Sequence, residues 1–187
     1  MRQTALKYGL RAGGILSALM VITIGGAKLL GMDDHFGVGG LVIGYTTMVL
    51  SFMLIHFGIR SYRDTVLGGN VGFWPALRLG LLIALIASAC YAATWQVVNR
   101  TLLPDFAEKY GAQAVKQAQD RGAPAAEVEK IRSEMAAFAV NYRNPLYLFA
   151  MTILEPAPVG ILMSLISAGI LSRKRRETIS DLGAALS

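Results

Sequence analysis

The chain has 187 residues, of which 54% are hydrophobic and only 16% are charged, and its mean hydropathy is +0.48. Soluble domains carry about a quarter charged residues, so this composition predicts a membrane protein. It excludes a disordered chain, which would be poor in apolar residues. One cysteine cannot form a disulfide scaffold. The net charge of +6 is compatible with an acidic partner. The positions of the basic residues along the chain decide whether such a partner is expected.

Four stretches are apolar and long enough to cross a bilayer, which takes roughly 20 residues in a helix. They run about 12–30, 39–59, 79–98 and 146–172. We therefore predict an all-α, polytopic membrane protein, with a single membrane domain over residues 1–187 and four transmembrane helices. Arg2, Lys7 and Arg11 precede the first stretch as they would in a secretory signal. Its length and glycines favour an uncleaved span.

The basic residues predict the orientation of the spans, because Lys and Arg concentrate on the cytoplasmic side. With the N-terminus inside, the inner side has 10 basic and 3 acidic residues, whereas the outer side has 8 basic and 9 acidic residues. Four spans also place the basic tail over 173–187 in the cytoplasm. We expect a bacterial inner (cytoplasmic) membrane protein with both termini cytoplasmic. Nucleic acid is not an expected partner, because the surplus charge sets the orientation.

Small residues recur at every fourth position along the spans, a spacing that allows membrane helices to approach closely. These ridges predict a tightly packed bundle within the chain, or alternatively a homodimer through one of them. The four sets are Gly9, Gly13 and Ser17; Gly40 and Gly44; Gly80, Ala84, Ser88 and Ala92; and Gly160, Ser164, Ala168 and Ser172.

A sizeable polar segment, which we expect to lie outside the membrane, connects spans three and four. Gly122 and Pro124 predict a turn within it, so we expect an extracytoplasmic helical hairpin over about 104–142. Its second half carries an apolar stripe. The stripe packs on the first half, lies on the outer leaflet, or docks a partner. Its residues are Val128, Ile131, Met135, Phe138 and Tyr142.

An ionisable residue inside a span is a functional candidate, and Glu155 lies in span four just before Pro156 and Pro158. An acid beside a broken helix is typical of transporter ion sites. The alternative places Glu155 at the outer interface, with the span starting near residue 157. Lys28, near the end of span one, either extends to the head groups or pairs with Glu155.

Other polar clusters give weaker hypotheses. Arg60 and Arg63 are candidate contacts for a lipid head-group phosphate, or they pair with Asp64 at a tight turn. The run 33–35 has metal-binding residue types, without a second cluster to complete a site. Phosphate-loop, zinc-helix and nucleophile-elbow motifs are missing. We therefore expect no catalytic, cofactor-binding or metal-binding residues and no cofactor.

The chain contains a series of short motifs, in this order: Tyr62-Arg63-Asp64, Gly68-Gly69, Phe73, Ala76, Gly80, Pro104-Asp105-Phe106, Pro158-Val159-Gly160-Ile161 and Ser164-Leu165-Ile166-Ser167-Ala168. In their order and spacing these motifs resemble the bacterial four-span family catalogued as domain of unknown function 4199. The resemblance covers about residues 6–176 and implies a small inner-membrane protein without an assigned reaction, cofactor or catalytic residue.

Together these patterns favour a non-enzymatic membrane component that binds a partner protein or stabilises an envelope complex. The alternative is a small transporter or lipid-handling protein that uses Glu155 at the broken helix. An enzyme acting on lipid-linked substrates is a third class. The expected partners are the lipid bilayer and a membrane protein, with a homodimer as a further candidate.

Overall fold

The computed structural model describes residues 1–29 and 38–173, with side chains 38–41 left out. The tail beyond 173, the run 33–35 and the surroundings of Gly40 therefore lie outside the described residues. Within the described ranges the chain forms helices and no strand. The helices are α1 (Arg2–Leu29), α2 (Val38–Thr65), α3 (Phe73–Thr101), α4 (Phe106–Asp120), α5 (Ala125–Tyr142), α6 (Pro145–Leu154) and α7 (Ala157–Leu171).

Four segments are long and apolar enough to cross a membrane: α1, Val42–Thr65 in α2, α3, and α6 with α7 taken together. The predicted all-α class with four membrane-spanning helices is confirmed. Several helices extend beyond the apolar stretches, since α1 begins ten residues before position 12 and α3 begins six residues before position 79. The start of α1 and the end of α7 lie at one end of the bundle, called here the termini end. The opposite end, with α4 and α5, is called the hairpin end.

Helix α3 occupies the centre of the bundle and contacts α1, α2, α6 and α7. Small residues allow these contacts. A Cβ added at Gly13 of α1 would lie 2.6 Å from the Cβ of Cys90, and one added at Gly80 would lie 2.9 Å from the Cβ of Ser164. The ridges of α1, α3 and α7 are thus used within the chain. A Cβ added at Gly44 would meet nothing within 4 Å, and a homodimer stays a prediction.

The buried apolar side chains form two clusters, one in each half of the bundle. The cluster nearer the termini end is aliphatic apart from one ring and includes Phe52, Ile55 and Ile83. The cluster at the hairpin end includes Trp95 of α3 and Tyr142 of α5. The second cluster therefore joins the hairpin to the membrane helices.

Helices α4 and α5 run antiparallel. The ring of Phe106 stacks on Tyr142 with centroids 5.6 Å apart, and Tyr110 meets Phe138 at 6.0 Å. The connection turns at Gly122, whose φ of +72° lies in the left-handed region that glycine adopts without strain. The pair forms a hairpin that is attached to the bundle near its first and last residues.

We expect Gly80→Ala to destabilise the bundle by about 1–3 kcal/mol, because the added methyl group overpacks the contact with α7. Thermal unfolding of the purified protein in detergent measures the change. Gly14→Ala is the matched control, since a Cβ there meets nothing within 4 Å. Equal melting temperatures for the two variants would contradict close packing at Gly80.

Candidate functional site

Glu155 lies where span four is interrupted, between the end of α6 and the start of α7. It is ten residues beyond Pro145, the first residue of the candidate span Pro145–Leu171, which corresponds to about 15 Å of helix. Its side chain is exposed on the surface of the chain. The Tyr91 hydroxyl of α3 donates a hydrogen bond to Glu155 Oε2 at 3.3 Å. This hydrogen bond holds one carboxylate oxygen and leaves the group accessible.

Two prolines explain the interruption. Pro156 and Pro158 have no backbone N–H, so they cannot donate to the carbonyls of Thr152 and Leu154 four residues earlier. The Thr152 hydroxyl donates to the Leu148 carbonyl at 2.7 Å, so it supplies neither of these carbonyls with a donor. Two carbonyl oxygens therefore lie close to Glu155 in the chain without their usual helical donors. Carboxylate and carbonyl oxygens together are the groups that bind a proton or a small cation.

The structure does not bring Lys28 and Glu155 together. The Lys28 ammonium donates to the Leu102 carbonyl at 2.8 Å, just beyond the end of α3. Leu102 is eleven residues from Tyr91, or about 16 Å along a helix axis, so the two charges lie at different depths. Lys28 instead connects the hairpin ends of α1 and α3.

Arg60 and Arg63, the candidate head-group contacts, both meet Asp64. The Nε of Arg63 lies 2.7 Å from Asp64 Oδ1, and the Nε of Arg60 lies 3.7 Å from Oδ2. This is the ion-pair arrangement expected for a tight turn at the termini end. The Arg60 side chain is 59% exposed, so a head-group contact there stays a prediction.

The apolar stripe of α5 faces α4. Met135 lies 3.1 Å from the position of a Cβ added at Gly111, and Phe138 contacts Tyr110. Tyr142 is buried, and the rest of the stripe is partly buried. Docking through the whole stripe would therefore require α4 and α5 to separate.

An aromatic cluster, consisting of Trp95, Phe106 and Tyr142, attaches the hairpin to α3. Trp95 Nε1 donates to the Tyr142 hydroxyl at 2.7 Å, and Phe106 meets Trp95 edge-on with centroids 4.9 Å apart. Burial raises the pKa of the Tyr142 hydroxyl above its usual range, and the charge of Glu155 adds to the effect. The hydroxyl therefore stays neutral. Sequence reasoning did not join these residues, because they come from three different helices.

A groove of about 470 Å³ runs along the hairpin between α4 and α5. Its floor consists of small and apolar residues, and charged residues of both signs lie at its rim. The rim carboxyl of Glu108 has a pKa below its usual range, because a backbone hydrogen bond and the Arg143 guanidinium stabilise its charge. The floor is formed by Gly111, Ala112, Val115, Met135, Ala136 and Ala139, and the rim by Glu108, Lys116, Gln119 and Arg132.

Sequence reasoning missed this groove because its alanines resemble ordinary helix formers. Only the pairing of α4 with α5 places Ala112 and Ala136 on one concave surface. Among the residues that the structure describes, no three His, Cys, Asp or Glu side chains are grouped as metal ligands. The candidates for a chemical or binding role are therefore Glu155, the residues that line the groove and the polar residues at the hairpin end of α3.

A protein-family model described as "Protein of unknown function (DUF4199)" matches residues 7–173. The match covers all seven helices apart from the first residues of α1. No curated protein and no solved structure matches the chain. The family match therefore indicates a relationship and assigns no activity.

We expect Tyr142→Phe to lower the free energy of unfolding by about 1–3 kcal/mol, because the buried Trp95 N–H then lacks an acceptor. Thermal unfolding in detergent, monitored by tryptophan fluorescence, measures this loss. Tyr110→Phe is the control from the same set of rings, and its side chain is 45% exposed. A similar loss in both variants would contradict a specific role for the Trp95–Tyr142 hydrogen bond.

Proposed function

The chain belongs to the DUF4199 family of proteins of unknown function. We propose that it is a non-enzymatic membrane component that binds a partner protein. The groove between α4 and α5 is the observation that carries the proposal. We place the hairpin on the extracytoplasmic side of a bacterial inner membrane, as the excess of basic residues at the termini end favours.

The groove suits an amphipathic helix of a partner. Gly111, Ala112 and Ala136 keep part of the floor free of bulky side chains, so a helix can approach closely there with its apolar face. Lys116 and Arg132 offer positive charge at the rim and Glu108 offers negative charge. A partner helix with charges of both signs beside its apolar stripe would match these groups.

The hairpin is also attached in a way that suits binding. Helix α4 packs mainly on α5, and α5 has only a small contact with α6. The aromatic cluster at Trp95 fixes the base, while the groove extends away from it along both helices. A partner can therefore occupy the groove without disturbing the membrane helices.

A photoreactive amino acid at position 136 should crosslink to one discrete partner in native membranes, since this position lines the groove. Ala112→Arg should reduce that adduct at least tenfold, because the long charged side chain would fill the floor. Position 137 is the control for the crosslinker, as Ala137 is exposed and lies outside the groove. Equal adducts at 136 and 137, or none at 136, would contradict the docking proposal.

A second candidate function is proton transport through Glu155. An exposed carboxyl inside a span is costly in lipid. It is adjacent to two carbonyls freed by Pro156 and Pro158, and it accepts a hydrogen bond from Tyr91. A proton that binds there neutralises the carboxylate and lowers this cost. The cycle of binding and release would carry charge past the break in span four.

In reconstituted vesicles this candidate predicts that the protein dissipates an imposed pH gradient, measured with an internal pH-sensitive dye. Glu155→Gln should slow the dissipation at least tenfold, because the amide cannot release a proton and yet has almost the same shape. Glu134→Gln on the exposed face of α5 is the control. If the wild-type rate equals that of empty vesicles, the transport candidate fails.

A further inference from the structure

One side of α3 is covered by two helices near the termini end. Gly80 lies between α2 and α7 there, since a Cβ added to it would meet Ile55 at 3.2 Å and Ser164 at 2.9 Å. Tyr91 is eleven residues further along α3, which is close to three turns of helix. It therefore lies on the same side of α3, nearer the hairpin end.

Helix α2 does not cover this side as far as the hairpin end. In that direction Met48 is its last buried side chain, and residues 42–47 are exposed or half-buried. A Cβ added at Gly44 would meet nothing within 4 Å. The buried cluster at the hairpin end contains residues of α1, α3, α4, α5 and α6, and no described side chain of α2 belongs to it.

Span four leaves α2 at a similar level. Helix α7 packs on both α2 and α3, whereas α6 packs on α3 and has no comparable contact with α2 among the described residues. Glu155 lies where α6 passes into α7, and it is exposed. Met151, about one turn earlier, is 43% exposed. This exposed surface, made by residues 42–47, Met151 and Glu155, is called here the open side.

The Glu155 carboxylate lies too deep for a lipid head group to reach it. Tyr91, which donates to it, is nine residues before Arg100 and thirteen residues after Arg78. These separations correspond to about 13 Å and about 20 Å along α3, and the hydrocarbon core of a bilayer is about 30 Å thick. Acyl chains at this depth supply no hydrogen-bond donor and no charge.

No cation of this chain balances the charge of Glu155. Within residues 1–29 and 38–173 it makes no ion pair, and the Lys28 ammonium is held by the Leu102 carbonyl. A second copy brings none either, because Glu155 is the only Asp, Glu, Lys or Arg in the cores of the four spans. These cores are residues 12–27, 42–59, 79–99 and 146–172. The charge therefore favours a different chain as the occupant.

We propose that a transmembrane helix of a partner protein covers the open side and pairs an arginine or lysine with Glu155. The basic side chain donates to the carboxylate, of which Tyr91 contacts only Oε2. The ion pair removes the cost of a bare carboxylate in lipid, and apolar residues of the partner helix pack beside Met151. This pairing rests on the proposed binding of a partner protein and extends it into the membrane, with Glu155 as a contact residue instead of a proton carrier.

Synthetic transmembrane peptides test the charge of the occupant. The full-length protein is reconstituted in phosphatidylcholine vesicles with dansyl-labelled leucine-alanine peptides of about 22 residues, and energy transfer from its tryptophans measures binding. A peptide with one central arginine should bind at least about tenfold more tightly than the same peptide with citrulline, which has nearly the same shape without the charge. Moving the arginine by seven residues, or about 10 Å along the helix, should remove this preference.

Variants of the full-length protein assign the preference to one carboxyl. Glu155→Gln should abolish it, because the amide has almost the same shape and no charge. Glu134→Gln, which removes an exposed acid from the hairpin, should leave it unchanged. Glu155→Lys should reverse it in favour of a peptide with a central glutamate. Melting temperatures in detergent separate a loss of binding from misfolding.

Equal binding of the arginine and citrulline peptides, or an unchanged preference in Glu155→Gln, would overturn the proposal. Energy transfer between two differently labelled copies of the protein that is lost in Glu155→Gln would assign the open side to a second copy instead. The peptides have no segment outside the membrane, so these results do not depend on the groove. The crosslink at position 136 tests the groove separately.

Discussion

The close approach of α1 and α7 to α3 is the contact on which the rest of the structure depends. Lipid is as apolar as the side chains of the spans, so helices associate there through close packing rather than through exclusion of water. Gly13, Gly80 and Gly160 supply that packing, because a Cβ at any of them would lie under 3.0 Å from a neighbouring side chain. These glycines fix both the central position of α3 and its rotation about its own axis.

That rotation sets the position of each polar group at the hairpin end. Tyr91, Trp95 and Asn99 follow one another at intervals of four residues along α3, so they lie on one side of the helix. Tyr91 reaches Glu155, Trp95 reaches Tyr142, and Asn99 lines a cleft that α3 forms with α6. A small turn of α3 would disturb all three contacts at once. The packing ridges and the candidate sites are therefore parts of one arrangement.

Much of the fold could be predicted from the sequence, because the signals are local. The apolar stretches gave the four spans, spacing by four gave the ridges, and Gly122 with Pro124 gave the turn between α4 and α5. The contacts that define the sites join distant segments. Trp95 and Tyr142 are 47 residues apart, and Lys28 and Leu102 are 74 residues apart. Such pairs depend on helix rotation and depth, which hydropathy does not encode.

The buried polar atoms show what close helix packing requires of polar side chains. Three buried side-chain oxygens have no partner among the described residues: those of Ser51, Gln96 and Asn99. The Ser51 hydroxyl is a single small group that can rotate toward a nearby backbone carbonyl, as hydroxyls in membrane helices commonly do. The Gln96 amide is held by its own hydrogen bond, because its Nε2 donates to the Pro145 carbonyl. Its buried oxygen is therefore a cost that the packing of α3 against α6 outweighs.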